Sequence, residues 1–475
     1  MDKRGVKMDV SKNLFKSSLI YFVGQVLSKI ISFLLLPLYT NYISTTDFGY
    51  YDLSISVLGV VVPVIFMEIW TATLRFSLER KTDQDKRIVI NNTMMIAGTS
   101  LLLYSFIFAI AAFVFKFDLP IWIYLYSFIW ICQLFLLSVS RVFGKNALYA
   151  SSGVISVLFN AVVTVIAVYV TNGNIVSLFL GMIVSMLVQV LIINHSVKVF
   201  KEFSFSDFDA DLCRTMIHFS LPLCFNSVMY WMLEGFNKIV ITYFLGLAVT
   251  GVYAVGNRIS VVLNLIISVF SLSWQETIFK LTDKNEKCSV YNTGFNLLIK
   301  SVGSGLVLLL PIISILFPYI IGNEYLSARN LIPFLLLVIY VNALSSLLAS
   351  CFAAEKDTKG LLVSKIVACV VNVITLFSTI SFIGFYSSPL ALFIANVVGV
   401  IVQIKLLEKH IRIIPQYSNI VVFVVTFIIS MAVYLSESVI LNLIWLAIAS
   451  IFFCFYLKEF IMKMFGLVKS MIPHK

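Results

Sequence analysis

The sequence predicts an all-α polytopic membrane protein with about 14 transmembrane helices: two six-helix bundles related by a parallel repeat, then two C-terminal helices. Three observations predict it: the scarcity of charge, the length of the apolar runs, and the side of the membrane on which the basic residues gather. Of the 475 residues, 60% are hydrophobic and 12% charged, whereas soluble domains carry about a quarter charged residues. The apolar runs are each about 20 residues or slightly longer, enough for a helix to cross a hydrocarbon core of roughly 30 Å. The ~10-residue alternating strands of a membrane β-barrel are missing from the sequence.

The predicted spans fall at about 17–42, 50–74, 88–115, 119–140, 148–170, 175–195, 216–245, 250–274, 290–318, 328–352, 361–383, 387–407, 417–436 and 439–460. With a cytoplasmic N-terminus, 29 of the 34 Lys and Arg are assigned to cytoplasmic segments, Lys116 and Arg329 to external loops, and Lys29, Lys238 and Arg258 to spans. Positive charge stays preferentially inside. A miscounted helix would invert every later loop and destroy the alternation, so both termini are expected to be cytoplasmic. The first run, Leu14 to Ile43, follows the basic residues Lys3, Arg4, Lys7, Lys12 and Lys16. It is longer than the apolar stretch of a signal peptide and has no small-residue cleavage site, so it is expected to be a mature helix.

The longest cytoplasmic connection, Ser196 to Thr215, is polar and charged and divides the chain into a bundle over 1–195, a linker over 196–215 and a bundle over 216–412, with helices thirteen and fourteen and the tail over 413–475. A short internal repeat fits this division. Thr40, Gly49 and Tyr51 align with Thr242, Gly251 and Tyr253 at an offset of 202 residues, and six intervening helices give both copies the same membrane orientation.

Composition also excludes several functions. The 7 cysteines are odd in number, scattered and without a CxxC pair, so disulfides are not expected. The 4 histidines show no metal-ligand spacing. The net charge of +11 follows the positive-inside pattern rather than forming a nucleic-acid-binding stripe. Neither a phosphate-binding GxxxxGK[ST] loop nor a soluble domain able to carry a catalytic triad is present. The reading is therefore of a protein that is not an enzyme and needs no cofactor or nucleic-acid partner.

Charge inside hydrocarbon is costly and usually faces a bundle interior or a wet cavity. The segment 216–259 is almost wholly apolar yet carries Glu234, Asn237, Lys238, Asn257 and Arg258. Lys29 lies about 13 residues from either end of the first span, some 20 Å by helical rise, with Gly24, Gln25, Ser28 and Ser32 on a small polar stripe beside it. It reads as an anion-binding cation or as one half of a buried pair in a helix-packing seam. Lys238 and Arg258 should share a depth near ~12 Å from the external ends of their helices, where two cations suit a phosphate or an acidic sugar. On the structural reading, Glu234, four residues before Lys238, neutralises it, and Arg258 snorkels outward. Glu68 and Glu234 are the candidate ion-coupling carboxylates; Glu68 is equally readable as a structural partner of Arg75 on the same face. Pro37, Pro63, Pro222, Pro311 and Pro333 are candidate kinks. Tyr230, Trp231, Tyr253 and Trp274 are candidate sugar-stacking rings or ordinary interface aromatics.

Pro222, Asn237-Lys238-Ile239-Val240-Ile241, Phe244, Gly246, Gly251, Tyr253 and Arg258-Ile259 resemble the seventh and eighth helices of Wzx-type polysaccharide flippases, members of the multidrug/oligosaccharidyl-lipid/polysaccharide exporter superfamily. Ser44-Thr45-Thr46-Asp47-Phe48-Gly49-Tyr50 resembles the external turn after their first helix. Looser matches are Arg75, Gly322-Asn323-Glu324-Tyr325 with Ala328, and Glu355-Lys356-Asp357. Where the family commonly has an acid, this chain has Asn237, which breaks the acid-base pair with Lys238.

The resemblance implies two six-helix bundles around a central cavity. It also implies translocation of undecaprenyl-diphosphate-linked oligosaccharide across the bacterial cytoplasmic (inner) membrane by alternating access, for an O-antigen-like or lipopolysaccharide surface glycan. Membrane lipids and a polysaccharide polymerase complex are the implied partners, and Lys29, Gln25, Lys238 and Arg258 the implied cavity residues. Two related expectations compete: a lipid II flippase, which shares the fourteen-helix architecture but usually has several cavity arginines, and a cation-coupled multidrug exporter, which normally has twelve helices and acidic cavity residues. A glycan polymerase or ligase would be expected to have a large external loop, and this chain has short ones.

Overall fold

A computed structural model describes residues 30–458 apart from 32, 261, 262, 280 and 282. Lys29 and Gln25 therefore lie outside the described residues. Every regular element among the described residues is helical. In chain order the α-helices are α1 (Leu36–Tyr42), α2 (Thr45–Ile65), α3 (Ile69–Leu78), α4 (Asp83–Phe115), α5 (Pro120–Val142), α6 (Asn146–Val170), α7 (Val176–Val197), α8 (Ala210–Glu234), α9 (Phe236–Leu245), α10 (Leu247–Ser260), α11 (Leu263–Ile278), α12 (Lys284–Ile320), α13 (Ile332–Ala354), α14 (Thr358–Ile383), α15 (Ser387–Leu407), α16 (Tyr417–Leu435) and α17 (Val439–Tyr456).

Eleven helical segments among the described residues are long and apolar enough to cross a membrane. One of them, Thr358–Leu407, is a pair of helices, α14 and α15, turning at Gly384. The eighth predicted span is present as α10 and α11, and the first as residues 30–42. The second to fourteenth predicted spans are thus accounted for, the first lies largely outside the described residues, and several are broken helices rather than continuous rods. The protein is a multi-pass membrane protein.

Helix starts follow capping chemistry. The side chains of Ser44, Thr82, Asp209, Asp283 and Asp357 accept backbone N–H groups of the following turn, satisfying donors that a helix leaves open. Pro333 stands in the first turn of α13, where no helical bond is lost, so it starts that helix, whereas Pro37 follows a turn at Leu35 that interrupts a helical run on both sides. Pro63, Pro222 and Pro311 are interior, as is Pro318. Downstream of Pro63 the helix breaks. Met67 and Glu68 take left-handed backbone angles, φ 52° and 51°, each costing roughly 1–2 kcal/mol for a residue with a side chain.

The chain forms two compact units, Met1–Gly251 and Val252–Lys475. In the first, α5, α6 and α7 pack together, and α8 packs on α2, α3 and α4. Ile69, Ala72, Val89, Ile96, Leu212 and Met216 form the core that ties α8 to α3 and α4. Leu136, Val139 and Ile193 centre a second core between α5 and α7. The unit boundary is one of packing, whereas the 196–215 connection divides the sequence repeat. In the second unit α12 is the central post, contacting α13, α16 and α17, while α14 and α15 pair with each other and α15 lies against α13.

The repeat-matched glycines Gly49 and Gly251 face each other. A methyl built on Gly49 would sit 2.0 Å from the Leu247 carbonyl oxygen, and one on Gly251 would sit 2.0 Å from that of Thr45. Thr45 and Leu247 are themselves 202 positions apart, so the contact is reciprocal: each copy of the repeat gives a glycine and receives a carbonyl.

Candidate functional site

One set of polar groups in the first unit lines a seam between α2–α3 and α8–α9. Along α2 the two run antiparallel, with Asp52, Ser56 and Pro63 facing Lys238, Trp231 and Cys224, and the break after α2 brings Glu68 back to Ser227. Near the start of α2, Asp52 Oδ2 lies 2.6 Å from Lys238 Nζ, with the side chains 13% and 15% exposed. One turn along, the Trp231 indole N–H donates to the Ser56 carbonyl at 2.6 Å. Deeper, the Cys224 thiol faces the Pro63 carbonyl at 3.5 Å. At the break after α2, the Ser227 hydroxyl donates to Glu68 Oε1 at 2.6 Å and the Thr71 hydroxyl lies 3.5 Å from Oε2. On α8, Ser227 and Trp231 are one turn apart and share a face, and Lys238 follows two turns later beyond the break at Gly235. Gly235 is required there: a methyl on it would lie 2.1 Å from the Trp231 indole nitrogen and 2.8 Å from Ser56 Oγ.

This geometry revises several pairings read from sequence. Glu234 does not neutralise Lys238; it is exposed and accepts from the Tyr230 hydroxyl at 3.0 Å. Glu68 does not pair with Arg75, which instead pairs with Glu79 at 2.9 Å. The left-handed backbone at Met67 and Glu68 takes Glu68 out of the register that a continuous helix would give it. The acid that pairs with Lys238 is Asp52, on another helix. Arg258 is half-buried in the last turn of α10, in the second unit. Of the candidate stacking rings, Tyr230 is exposed, while Trp231 is tied to Ser56. Tyr253 is buried and accepts from the Ser388 hydroxyl at 3.1 Å; Trp274 is buried against Gly294.

Asp52 escaped the sequence reading although it carried the signal that singled out Lys238, a lone charge within an apolar run. Sequence spacing favoured Glu234 because it lies one helical turn away; proximity along a helix outranked a partner on another helix. Among the described residues no group of three or more His, Cys, Asp and Glu could hold a metal ion.

The second unit contains a cavity of about 450 Å³ walled by apolar side chains of α12, α13, α15 and α16, among them Phe295, Leu344, Phe393, Ile404, Phe423 and Phe427. One hydroxyl in its lining, that of Tyr340, is directed to the Ile299 carbonyl at 3.4 Å. The cavity suits hydrocarbon and has nothing to hold an ion. Beyond α12, Arg329 is buried. It donates to Ser314 Oγ at 2.8 Å and to the Tyr434 carbonyl at 3.4 Å, lies 3.6 Å from Glu437 and faces the rings of Phe317 and Tyr434.

Helical bundles with broken helices, a polar seam and an apolar cavity define the class: a multi-pass membrane protein whose fold is shared with solved flippase and exporter structures. The chain is similar to the lipid II flippase MurJ in its inward closed conformation, at TM-score 0.67 and 14% identity over 93% of this chain and 100% of that one. It is also similar to an outward-facing multidrug resistance MATE family transporter of the MOP superfamily, at TM-score 0.57 and 14% identity over 82% and 93%. A mutant of the Vibrio cholerae MATE transporter VcmN is similar at TM-score 0.55 and 15% identity over 85% and 98%. No curated protein matches the chain. The polysaccharide biosynthesis protein family matches residues 14–274, more than half of the chain's 475 residues, and the chain belongs to that family.

Proposed function

We propose that the protein flips undecaprenyl-diphosphate-linked oligosaccharide repeat units across the bacterial cytoplasmic membrane for surface polysaccharide synthesis. The observation that carries this reading is membership of a polysaccharide biosynthesis family on a transporter fold. The apolar cavity supports a lipid-linked substrate, because a polyprenyl chain needs a dry, unfunctionalised wall. In this reading the two six-helix bundles, 1–195 and 216–412, alternate access around a midplane site, and both termini are cytoplasmic. Lys29, Gln25, Lys238 and Arg258 meet the diphosphate and first sugars. Glu68, held at a helix break, is better placed to couple an ion than the exposed Glu234. A polysaccharide polymerase receives the product.

The test is deletion of the gene, followed by complementation with wild type, Lys29→Ala and Lys238→Met. Deletion should remove one surface polysaccharide and accumulate its lipid-linked unit on the inner leaflet; wild type should restore export and the well-inserted variants should not. An unchanged surface glycan profile overturns the reading. Arrested peptidoglycan synthesis in the deletion would assign the protein to lipid II instead, and altered drug susceptibility with normal glycans would assign it to drug export.

A further inference from the structure

The buried or half-buried cations of this protein differ in how completely they are coordinated. Arg329 is heavily invested, with a hydroxyl, a carbonyl, a carboxylate and two aromatic faces around one guanidinium, and only its Nε is left without an acceptor. Lys287 shares Glu355 with the Tyr291 hydroxyl, at 2.9 and 3.1 Å. Lys238 contrasts with both. Among the described residues its ammonium, which has three donors, has one charged partner, Asp52 Oδ2 at 2.6 Å, and that buried oxygen receives no well-directed hydrogen bond. A pair built only for stability would have its remaining donors and lone pairs satisfied, since burial makes each open position costly. Here the ammonium keeps at least two donor positions beyond its ion pair with Asp52, beside a helix break at Gly235.

We infer that Asp52 is an exchangeable counter-ion for Lys238. It holds the ammonium in the empty protein and yields it to a phosphate oxygen of the substrate. A phosphate offers several acceptor oxygens where Asp52 offers one contact, so it can engage those two donor positions as well as the paired one. Because Asp52 is on α2 and Lys238 on α9, the exchange removes the ion pair at that end of the seam, leaving the Ser56–Trp231 bond one turn away as the next restraint. Asp52 is thus a positioning residue: it pre-sets the Lys238 side chain, sets the threshold for anion binding and makes binding and helix release one event. The inference rests on the proposed diphosphate-lipid substrate.

The experiment uses the full-length protein in nanodiscs and measures binding of undecaprenyl diphosphate, of undecaprenol as the uncharged control, and of inorganic pyrophosphate. Asp52→Asn removes the competing internal anion and should tighten undecaprenyl diphosphate binding by about tenfold, within the range over which close charge pairs couple, with undecaprenol unchanged. Asp52→Glu should restore the wild-type affinity, and Lys238→Gln should weaken binding by at least about tenfold. Pyrophosphate should bind more weakly but with the same ratio between Asp52→Asn and wild type. In an otherwise wild-type protein carrying Ser56→Cys, adding undecaprenyl diphosphate should raise the rate of maleimide labelling severalfold as the seam opens; this arm does not depend on how well Asp52→Asn folds. Unchanged or weaker binding by Asp52→Asn, with binding still lost in Lys238→Gln, makes Asp52 a plain structural brace and overturns the inference while the proposed function stands. Unchanged labelling of Ser56→Cys on ligand addition also overturns it. Equal binding of undecaprenol and undecaprenyl diphosphate by wild type and Lys238→Gln removes the diphosphate-lipid reading itself.

Discussion

Gly49→Ala tests a close helix crossing in the first unit, backbone against backbone. The new methyl would lie 2.0 Å from the Leu247 carbonyl oxygen and 2.8 Å from the Gly251 nitrogen, where ordinary contact begins at 3.4 Å. Both obstacles are backbone, so no side chain can swing aside. The helices must part by about 1.4 Å, the difference between 3.4 and 2.0 Å. Overpacking of this kind costs about 1–3 kcal/mol, and in a membrane the lost close approach is not offset by a hydrophobic term between helices. Gly251→Ala should cost a similar amount against the Thr45 carbonyl, also at 2.0 Å. Because both methyls open one and the same gap, the double variant should cost less than the sum of the singles by about 0.5 kcal/mol or more. Thermal unfolding of purified protein in detergent, followed by tryptophan fluorescence, measures all three. A Gly49→Ala protein as stable as wild type, or singles that add in the double variant, would show that the crossing is not this tight.

Other expected outcomes concern the second unit and the connections. Arg329→Met should destabilise by about 2–3 kcal/mol, because Ser314 and the Tyr434 carbonyl lose a buried donor; protease nicking between α16 and α17 should rise in parallel, and an unchanged melting profile would contradict it. Lys409 and the Gly360 N–H, with smaller help from His410, hold the Asp357 carboxyl down to about 2. A depressed carboxylate contributes above its ordinary value near ~3.9 and loses that contribution as pH falls towards ~2. Wild type should therefore lose stability over that window relative to Asp357→Asn, and parallel pH profiles for the two proteins would count against it. Asn292→Leu should free the backbone of Arg412 and Ile414, and Asn92→Leu that of Asp207 and Asp209. Amide hydrogen exchange in each connection should rise at least tenfold over wild type, the equivalent of ~1.4 kcal/mol per site; retained protection would refute the clamp.

The periodic features were legible. Apolar length and basic alternation located helices whose observed bounds, such as Pro120–Val142 and Ser387–Leu407, fall within a few residues of the predicted ones, because the bilayer imposes a single length scale on every span. What was not legible depended on partners brought in from other helices. Asp52 reads as one charge among apolar neighbours until α2 lies beside α9. Glu68 reads as lying on the face of Arg75 only if the helix continues, and the left-handed residues Met67 and Glu68 end that register. Lys300 stands well inside α12, with its ammonium 4.8 Å from the centre of the Tyr456 ring, a partner that only the packing of α17 supplies. Three-residue identities hinted at the repeat; the reciprocal carbonyl contacts of Gly49 and Gly251 supply its physical reason, since only glycine admits so close an approach.

The same economy recurs at the ends of the long helices. In the first unit, Asn92 near the start of α4 donates to the Asp207 carbonyl at 2.7 Å and accepts the Asp209 N–H at 2.8 Å. In the second, Asn292 near the start of α12 donates to the Arg412 carbonyl at 2.9 Å and accepts the Ile414 N–H at 2.6 Å; Asn296, one turn on, repeats the pattern at Ile414 and Gln416. A primary amide presents one donor and one acceptor side by side, so it can pair with an extended backbone as a neighbouring strand would. Each clamped segment leads directly into the next helix, α8 in one unit and α16 in the other. A connection between membrane helices has unpaired peptide groups that must be satisfied near an apolar environment, and an asparagine on an adjoining long helix does so while fixing where the next helix begins. The local geometry that orients α8, and with it Ser227 and Trp231 of the seam, is therefore set in part from Asn92, a residue that touches none of the seam's charges.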